Sequence, residues 1–296
     1  MKNDLGIYVM IYNKLDLFKD LFNSYKRISH HDNVKLYLID DSSNNEIYNY
    51  VKNINLDKII YLKNVNNLGH DNNYYNIFNI IIENYFWIIP DSFNISDFFI
   101  IHFFKIINNN EYDLLLLNIN NRLKYKKYTF NYFKINNKMN YLWHTTLTGS
   151  VIYNKKVLNN YNINNIPKSK NFPQVWFFIK ALALYKKIII LYNVDIDISN
   201  IKNSSYWNKK IFEVFITDLH NTLIESGYSI DQSDKIVKQH LIKSKILSFK
   251  YLYIMRFKTS YLNLEILLKY KNFINNKYLF YCFILLLFPV SKKEYI

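Results

Sequence analysis

Apolar positions along the first 120 residues follow two alternating rhythms. Short runs rich in β-branched and aromatic residues, at 5–12, 34–40, 58–64, 86–90 and 112–119, predict strands. The segments between them, at 14–28, 43–54, 70–85 and 96–110, predict helices. In the first of these, Leu17, Leu21 and Tyr25 recur at helical spacing, with Phe18 and Phe22 beside them. Ser43 or Asn44 caps the second helix, which has Glu46 in its first turn, and Ser96 caps the fourth. Strands that alternate with helices of this length predict βαβ units and an α/β fold with a mostly parallel sheet flanked by helices. Ligands of such sheets lie beyond the carboxyl ends of the strands. The residues at those ends are Tyr12 and Asn13, Asp40 and Asp41, Asn64 to Gly69, and Asp91.

The middle of the chain is less regular. Residues 124–135 read as strand or loop, and Gly149 precedes an apolar strand within 145–154. Pro173 near a first turn, followed by an apolar face, predicts a helix over 172–187, and 188–198 reads as a strand. From about residue 204 the pattern turns helical, at 205–226, 231–249, 251–270 and 274–288. This divides the chain into an α/β part, 1–203, and a helical part, 204–296. No internal repeat or flexible linker interrupts it.

Composition narrows the classes. Half of the 296 residues are hydrophobic and 18% are aromatic, enough for a sizeable core. The single cysteine, Cys282, rules out an intrachain disulfide and a Cys-based zinc site, and it fits a reducing, cytoplasmic setting. Asp4 interrupts the N-terminal apolar run, which is too short for a signal peptide. The net charge of +15 is uneven. From Lys235 onward there are twelve Lys and Arg against two acids, Glu265 and Glu294. Such a balance suits nucleic acid, an anionic membrane face or a phosphorylated substrate, or is simply a solvated basic surface. No nucleic-acid motif accompanies it, so no nucleic acid is expected as a partner. The segment 245–258 mixes Lys and Arg with large apolar residues, as a peripheral membrane segment would. The uncharged run 278–290 is too short to span a bilayer.

At the strand ends, "YLIDDSS" reads either as a turn with a helix cap or as a carboxylate that accepts from a base or ribose. In "NVNNLGHDNN", Gly69 allows a positive φ or a close backbone approach. Neither GxGxxG nor GxxxxGK[ST] is present, so a dinucleotide fold of that type and a P-loop are unsupported. The order of the pieces says more than any one of them. YN at 12–13, DDSS at 40–43, NLGHDNN at 67–73 and YFWIIPD at 85–91 together resemble the family 2 glycosyltransferases of the GT-A fold, especially the bacterial capsule and O-antigen sugar transferases. Gly69, Asp71 and Asn73 match a G-x-D-x-N spacing of the capsular subgroup. The resemblance covers roughly residues 5–200, and 145–158 and 171–182 resemble acceptor-side segments.

That resemblance implies a GT-A-like fold and transfer of a hexosyl or deoxyhexosyl group from a nucleotide-sugar to a glycan or lipid-linked glycan in surface polysaccharide assembly. It implies that Tyr12 and Asn13 line the nucleotide pocket and that Asp40 or Asp41 contacts the base or ribose. Asn67, Gly69 and Asn73 would flank the nucleotide, and Asp91 would help hold Mg²⁺ or Mn²⁺ against the diphosphate. Gln174 and Trp176 would fall on the acceptor side.

The chain also departs from the pattern. Met10 and Ile11 stand where Pro-Thr is usual, and the expected DDD segment is Asp91-Ser92-Phe93, with one carboxylate left. Asp97 lies in the next helix and does not replace the others. An inverting transferase needs a general base near the acceptor hydroxyl. Gln174 cannot take a proton at neutral pH. His144 in "YLWHTT" is the catalytic candidate by residue type, with a loop histidine packed beside Trp143 as the alternative. Asp195 and Asp197 are further candidates within an alternating strand. The degenerate metal segment also leaves open an inactive GT-A-like protein that binds a glycan or a partner transferase.

Overall fold

The computed structural model of the protein describes residues 4–54, 58–119, 129–130, 141–161, 166, 170–185, 187–191, 194, 196–198 and 210–289. Most of 124–135, and Asp195, lie outside them. The chain divides into two compact units. One comprises Met1–Lys138, His144–Ile166 and Pro173–Asn203; the other comprises Met139–Trp143, Pro167–Phe172 and Ser204–Ile296.

The first unit begins β1 (Leu5–Ile11), α1 (Leu15–Ser29), β2 (Val34–Asp40), α2 (Glu46–Lys52), β3 (Ile59–Lys63), α3 (Gly69–Ile77) and β4 (Tyr85–Pro90). It continues with β5 (Phe93–Ile95), α4 (Asp97–Asn109), β6 (Leu114–Leu117), β7 (Thr129–Phe130), β8 (Val151–Asn154), α5 (Pro173–Leu184), β9 (Ile188–Leu191) and β10 (Ile196–Ile198). The main sheet has the order β3-β2-β1-β4-β8-β6-β9-β7. Its first four strands are mutually parallel, β6 and β9 are parallel to each other, and β8 and β7 are paired antiparallel to their neighbours. The sheet is therefore mostly parallel, as the alternation predicts.

Period-2 alternation sorts the residues onto two faces. Ile7, Val9 and Ile11 of β1 join Trp87 and Ile89 of β4 in a core closed by Leu17, Leu21 and Tyr25 of α1 and by Phe99 and Phe103 of α4. On the opposite face Phe86 meets Phe78, which follows α3, and Phe177 of α5. Burial of this kind on both faces makes the strands near-continuously apolar.

Three elements depart from the pattern. The third helix begins at Gly69 and ends at Ile77, followed by a 3-10 turn over Phe78–Ile80. Ile81 turns to an extended ψ of 118°, leading the chain into β4. The predicted strand 188–198 is two strands in different sheets, because β10 pairs antiparallel with β5. β5 has no counterpart in the sequence reading. Ser96 does cap α4, its side chain accepting from Phe99 N at 3.2 Å.

The second unit carries a π-helical turn, Glu213–Asp218, leading into α6 (Leu219–Glu225). There follow α7 (Ile230–Lys243), α8 (Phe249–Phe257), α9 (Leu264–Tyr270) and α10 (Asn276–Leu287). The predicted helix 251–270 is thus two helices. Asn263 restarts the second one by accepting from Ile266 N at 2.9 Å.

Candidate functional site

The register aligns the carboxyl ends of four strands. Ile11 pairs with Asp40, Asp40 with Lys63, and Met10 with Pro90. Tyr12, Asn13, Asp41, Asn64 and Asp91 therefore leave the sheet along one edge. β1 and β4 are adjacent there although they lie far apart in sequence, which is the switch point where open α/β sheets bind ligands.

Hydrogen bonds then shape this edge. Asn13 has a φ of +46°, a left-handed conformation that Asn tolerates better than most residues. Its backbone N–H donates to Ser42 Oγ at 2.9 Å, and its side-chain Oδ1 accepts from Ser43 N at 3.0 Å. Tyr12 beside it is half exposed. Asp41 is buried and holds the next loop. Its Oδ1 accepts from Asn64 Nδ2 at 2.9 Å and from Leu68 N at 2.8 Å, and its Oδ2 accepts from Gly69 N at 2.9 Å. Asn67 Oδ1 also accepts from Gly69 N, at 2.9 Å, and Asn73 Oδ1 accepts from Asn64 Nδ2 at 3.0 Å. Gly69 has a φ of +75°, and a Cβ there would meet nothing within 4 Å. The glycine thus opens α3 with its Cα facing free space.

Asp40 is fully buried. Its Oδ1 accepts from Ser42 N at 2.9 Å, and its Oδ2 accepts from the Tyr61 hydroxyl, with Lys63 Nζ 3.6 Å away. Burial, and then the bond to Asp40, push the Tyr61 phenol well above its usual range. Both carboxylates of "DDSS" therefore have oxygens engaged within the protein, building the loops that frame the edge.

Asp91 and Ser92 are buried behind β4, and Phe93 is fully buried as the first residue of β5. The Phe93 ring lies against Trp87, at a centroid distance of 6.4 Å, and over Gly149. The third position of the expected carboxylate segment is thus a core position. Tyr25 Oη lies within the field of Asp91; burial first, and that charge second, raise its pKa. Asp97 opens α4 and binds Arg27 Nε at 2.7 Å and His31 Nε2 at 3.0 Å. No group of three His, Cys, Asp or Glu that could hold a metal occurs among the described residues. They do not form a divalent-cation site by themselves.

His144 and the acceptor-side candidates Gln174 and Trp176 are all buried. His144 is 0% exposed, and its Nε2 lies 2.6 Å from the Leu117 carbonyl. A carbonyl only accepts, so Nε2 carries the hydrogen. Enclosed in this way, the ring is a core histidine and is not placed to take a proton from a substrate hydroxyl. Gln174 is buried and donates from Nε2 to the Thr146 carbonyl at 2.9 Å, tying α5 to the preceding loop. Trp176 is 3% exposed, edge-on to Tyr75 at 6.0 Å, with Lys180 Nζ 5.9 Å from its ring centroid. Its ring is packing and offers no open face for a sugar. Asp197 is exposed on β10, opposite Asn94.

Sequence reasoning missed Glu83. This buried carboxylate accepts from Tyr8 Oη at 2.7 Å and Tyr37 Oη at 2.8 Å, with Lys35 Nζ 3.5 Å away. The two phenols stack at 4.5 Å, and burial, followed by the bond to Glu83, raises both pKa values. The one sequence signal was Gly6, whose Cβ would stand 2.6 Å from Glu83 Oε2.

The chain has a GT-A-like fold. No protein-family model matches it, and no curated protein matches it. Among solved structures, residues 1–349 of S. aureus TarS in complex with UDP-GlcNAc match 95% of this chain and 88% of that one, with 14% identity and a TM-score of 0.55. The mannosyltransferase PcManGT from Pyrobaculum calidifontis, in complex with GDP-Man and Mn²⁺, matches 97% and 88%, with 8% identity and a TM-score of 0.54. Glucosyl-3-phosphoglycerate synthase from Mycobacterium tuberculosis, in complex with Mn²⁺, UDP and phosphoglyceric acid, matches 77% and 80%, with 9% identity and a TM-score of 0.52. At these identities the likeness carries the fold.

Proposed function

We propose that this protein is a glycosyltransferase that moves a sugar from a nucleotide-sugar donor to a glycan or lipid-linked glycan, in the assembly of a surface polysaccharide. The observation that carries this reading is the edge at the β1/β4 switch point of a GT-A-like sheet. There Tyr12, the left-handed Asn13 and the Asp41-tied loop ending at Gly69 converge. The matched folds with UDP-GlcNAc, GDP-Man and UDP support it.

In this reading Tyr12 and Asn13 line the nucleotide. Asn67 and the open Cα of Gly69 flank it, Asp41 and Asn73 hold that loop in place, and Asp91 faces the diphosphate. In transfer, the acceptor hydroxyl oxygen bonds to the anomeric carbon, the bond from that carbon to the diphosphate breaks so that the nucleoside diphosphate departs, and the hydroxyl proton passes to water. A divalent ion at Asp91 would take its other oxygens from diphosphate and water. No step is assigned to it.

The second reading, a non-catalytic GT-A-like protein that binds a glycan or a partner transferase, is favoured by one observation: Phe93 fills the core where a carboxylate is expected. Calorimetric titration of UDP, GDP, CDP and dTDP, with and without Mn²⁺, into wild type and Asp91→Ala separates the two. One nucleotide is expected to bind wild type, and any gain from Mn²⁺ is expected to vanish in Asp91→Ala. If none of the four binds under either condition, the transferase reading fails and the scaffold reading stands.

A further inference from the structure

One exposed stripe of the helical unit is apolar where a soluble surface would be polar. α10 buries Cys282 and Leu285 and turns Phe280, Phe283 and Leu287 outward, at 62%, 50% and 82% exposure. Their spacing of three and four residues puts them on one stripe of the helix. α9 adds Leu264 and Leu268, four residues apart and both more than half exposed. Leu264 and the α10 stripe line a groove of about 500 Å³ together with Arg256, Ile284 and Leu286. Arg256 holds this arrangement together. Its Nη1 donates to the Leu262 carbonyl at 3.3 Å and its Nη2 to the Phe288 carbonyl at 2.9 Å. These bonds tie the end of α8 to the segment just before α9 and to the end of α10.

Charge decides what such a face fits. Residues Lys245 to Pro289 carry seven Lys and Arg against one acid, Glu265. Lys269 on α9 and Lys277 on α10 are exposed, each within reach of a tyrosine ring, Tyr270 or Tyr278. A second copy docking on the same face would set this cationic excess against itself. An anionic lipid surface accepts both properties at once, apolar side chains in the acyl boundary and ammonium groups at the phosphates. α10 has 12 residues and no described helix is long and apolar enough to cross a membrane, so the helix would lie in the interface plane.

We infer that the face formed by α9 and α10 docks on an anionic lipid bilayer, with Phe280, Phe283 and Leu287 entering the interface and Lys269 and Lys277 against the headgroup phosphates. The inference stands on this unit alone and does not depend on the transferase reading.

The test is co-sedimentation of the full chain with vesicles of phosphatidylcholine alone and with phosphatidylglycerol added. Binding is expected for the anionic vesicles and is expected to weaken with salt. Lys269→Ala with Lys277→Ala is expected to weaken partitioning by roughly 25-fold, on the order of fivefold per cation. Phe280→Ser with Leu287→Ser is expected to weaken it as well, and these sites are exposed enough to leave the fold intact. Leu287→Trp gives an independent readout, a blue-shifted emission with anionic vesicles that brominated lipid quenches. Equal binding to neutral vesicles, no binding to either, or wild-type binding by both double variants would overturn the inference. So would a dimer in sedimentation velocity that the same substitutions dissociate, since a second copy would then cover the face.

Discussion

Gly149 offers the sharpest test of why the expected carboxylate segment ends in Phe93. Gly149 has a φ of +88°, and a Cβ built on it would stand 2.7 Å from Phe93 Cε2, 3.2 Å from Phe93 Cζ and 3.3 Å from Ile89 Cγ2. Its carbonyl accepts from Trp87 Nε1 at 2.7 Å, so the backbone is held in place. Phe93 cannot swing away, because its ring is fully buried against Trp87. Gly149→Ala should therefore cost about 1–2 kcal/mol for the left-handed backbone and a further ~1–3 kcal/mol for overpacking. The sum, about 2–5 kcal/mol, is a large share of the ~5–15 kcal/mol that a domain has. Urea unfolding followed by tryptophan fluorescence measures it as a drop in midpoint at unchanged slope. In a Phe93→Leu background the ring edge is gone and the backbone cost remains, so the same change should cost only about 1–2 kcal/mol. A loss below about 1 kcal/mol in the wild-type background would refute the claim that Phe93 is locked by its neighbours.

Other outcomes follow from the same contacts. Asp41→Ala removes the acceptor of three hydrogen bonds and should destabilise the protein by about 2–4 kcal/mol, with faster hydrogen exchange at the Leu68 and Gly69 amides. Unchanged exchange there would sink the claim that Asp41 holds this loop. Gly6→Ala drives a methyl to 2.6 Å from Glu83 Oε2 and should cost about 1–3 kcal/mol, measured by the same unfolding curve. Burial pushes the Cys282 thiol up to about 12. Labelling by iodoacetamide at about pH 8.5 should be roughly a thousandfold slower in the native state than in urea. Because the folded value is raised, the associated stability is present below about pH 8.5 and is lost as pH rises through about 12. Rapid native labelling would contradict the burial.

The chain's periodicity announced most of the fold because both sheet faces are covered. Strands such as 34–40 and 86–90 read as apolar runs, and helices such as 14–28 show one wet face. What periodicity could not show were short elements whose existence depends on a partner. β5 is three residues long and exists because β10 pairs with it, and Asn263 splits 251–270 into two helices through a single cap. The strand-end residues were legible as a group, since a parallel sheet sends its carboxyl ends to one edge. The role of each residue was not legible, because an Asp that frames a loop and an Asp that faces a ligand have the same letter.

The sequence alone determined the alternation of the larger strands and helices in the first 120 residues, the mostly parallel sheet, the row of Tyr12, Asn13, Asp41 and Asp91 along one edge, and the single carboxylate of residues 91–93. These are consequences of local pattern and spacing. Tertiary structure alone decided that Asp40 is sealed beneath Tyr61, that His144 is committed to the Leu117 carbonyl, and that Trp176 is packed edge-on. It also decided that Glu83 accepts from two tyrosines and that Phe280, Phe283 and Leu287 face outward together. The reason is physical. Burial and hydrogen-bond partners come from residues distant in sequence, and they fix whether a polar side chain is free for chemistry or already satisfied.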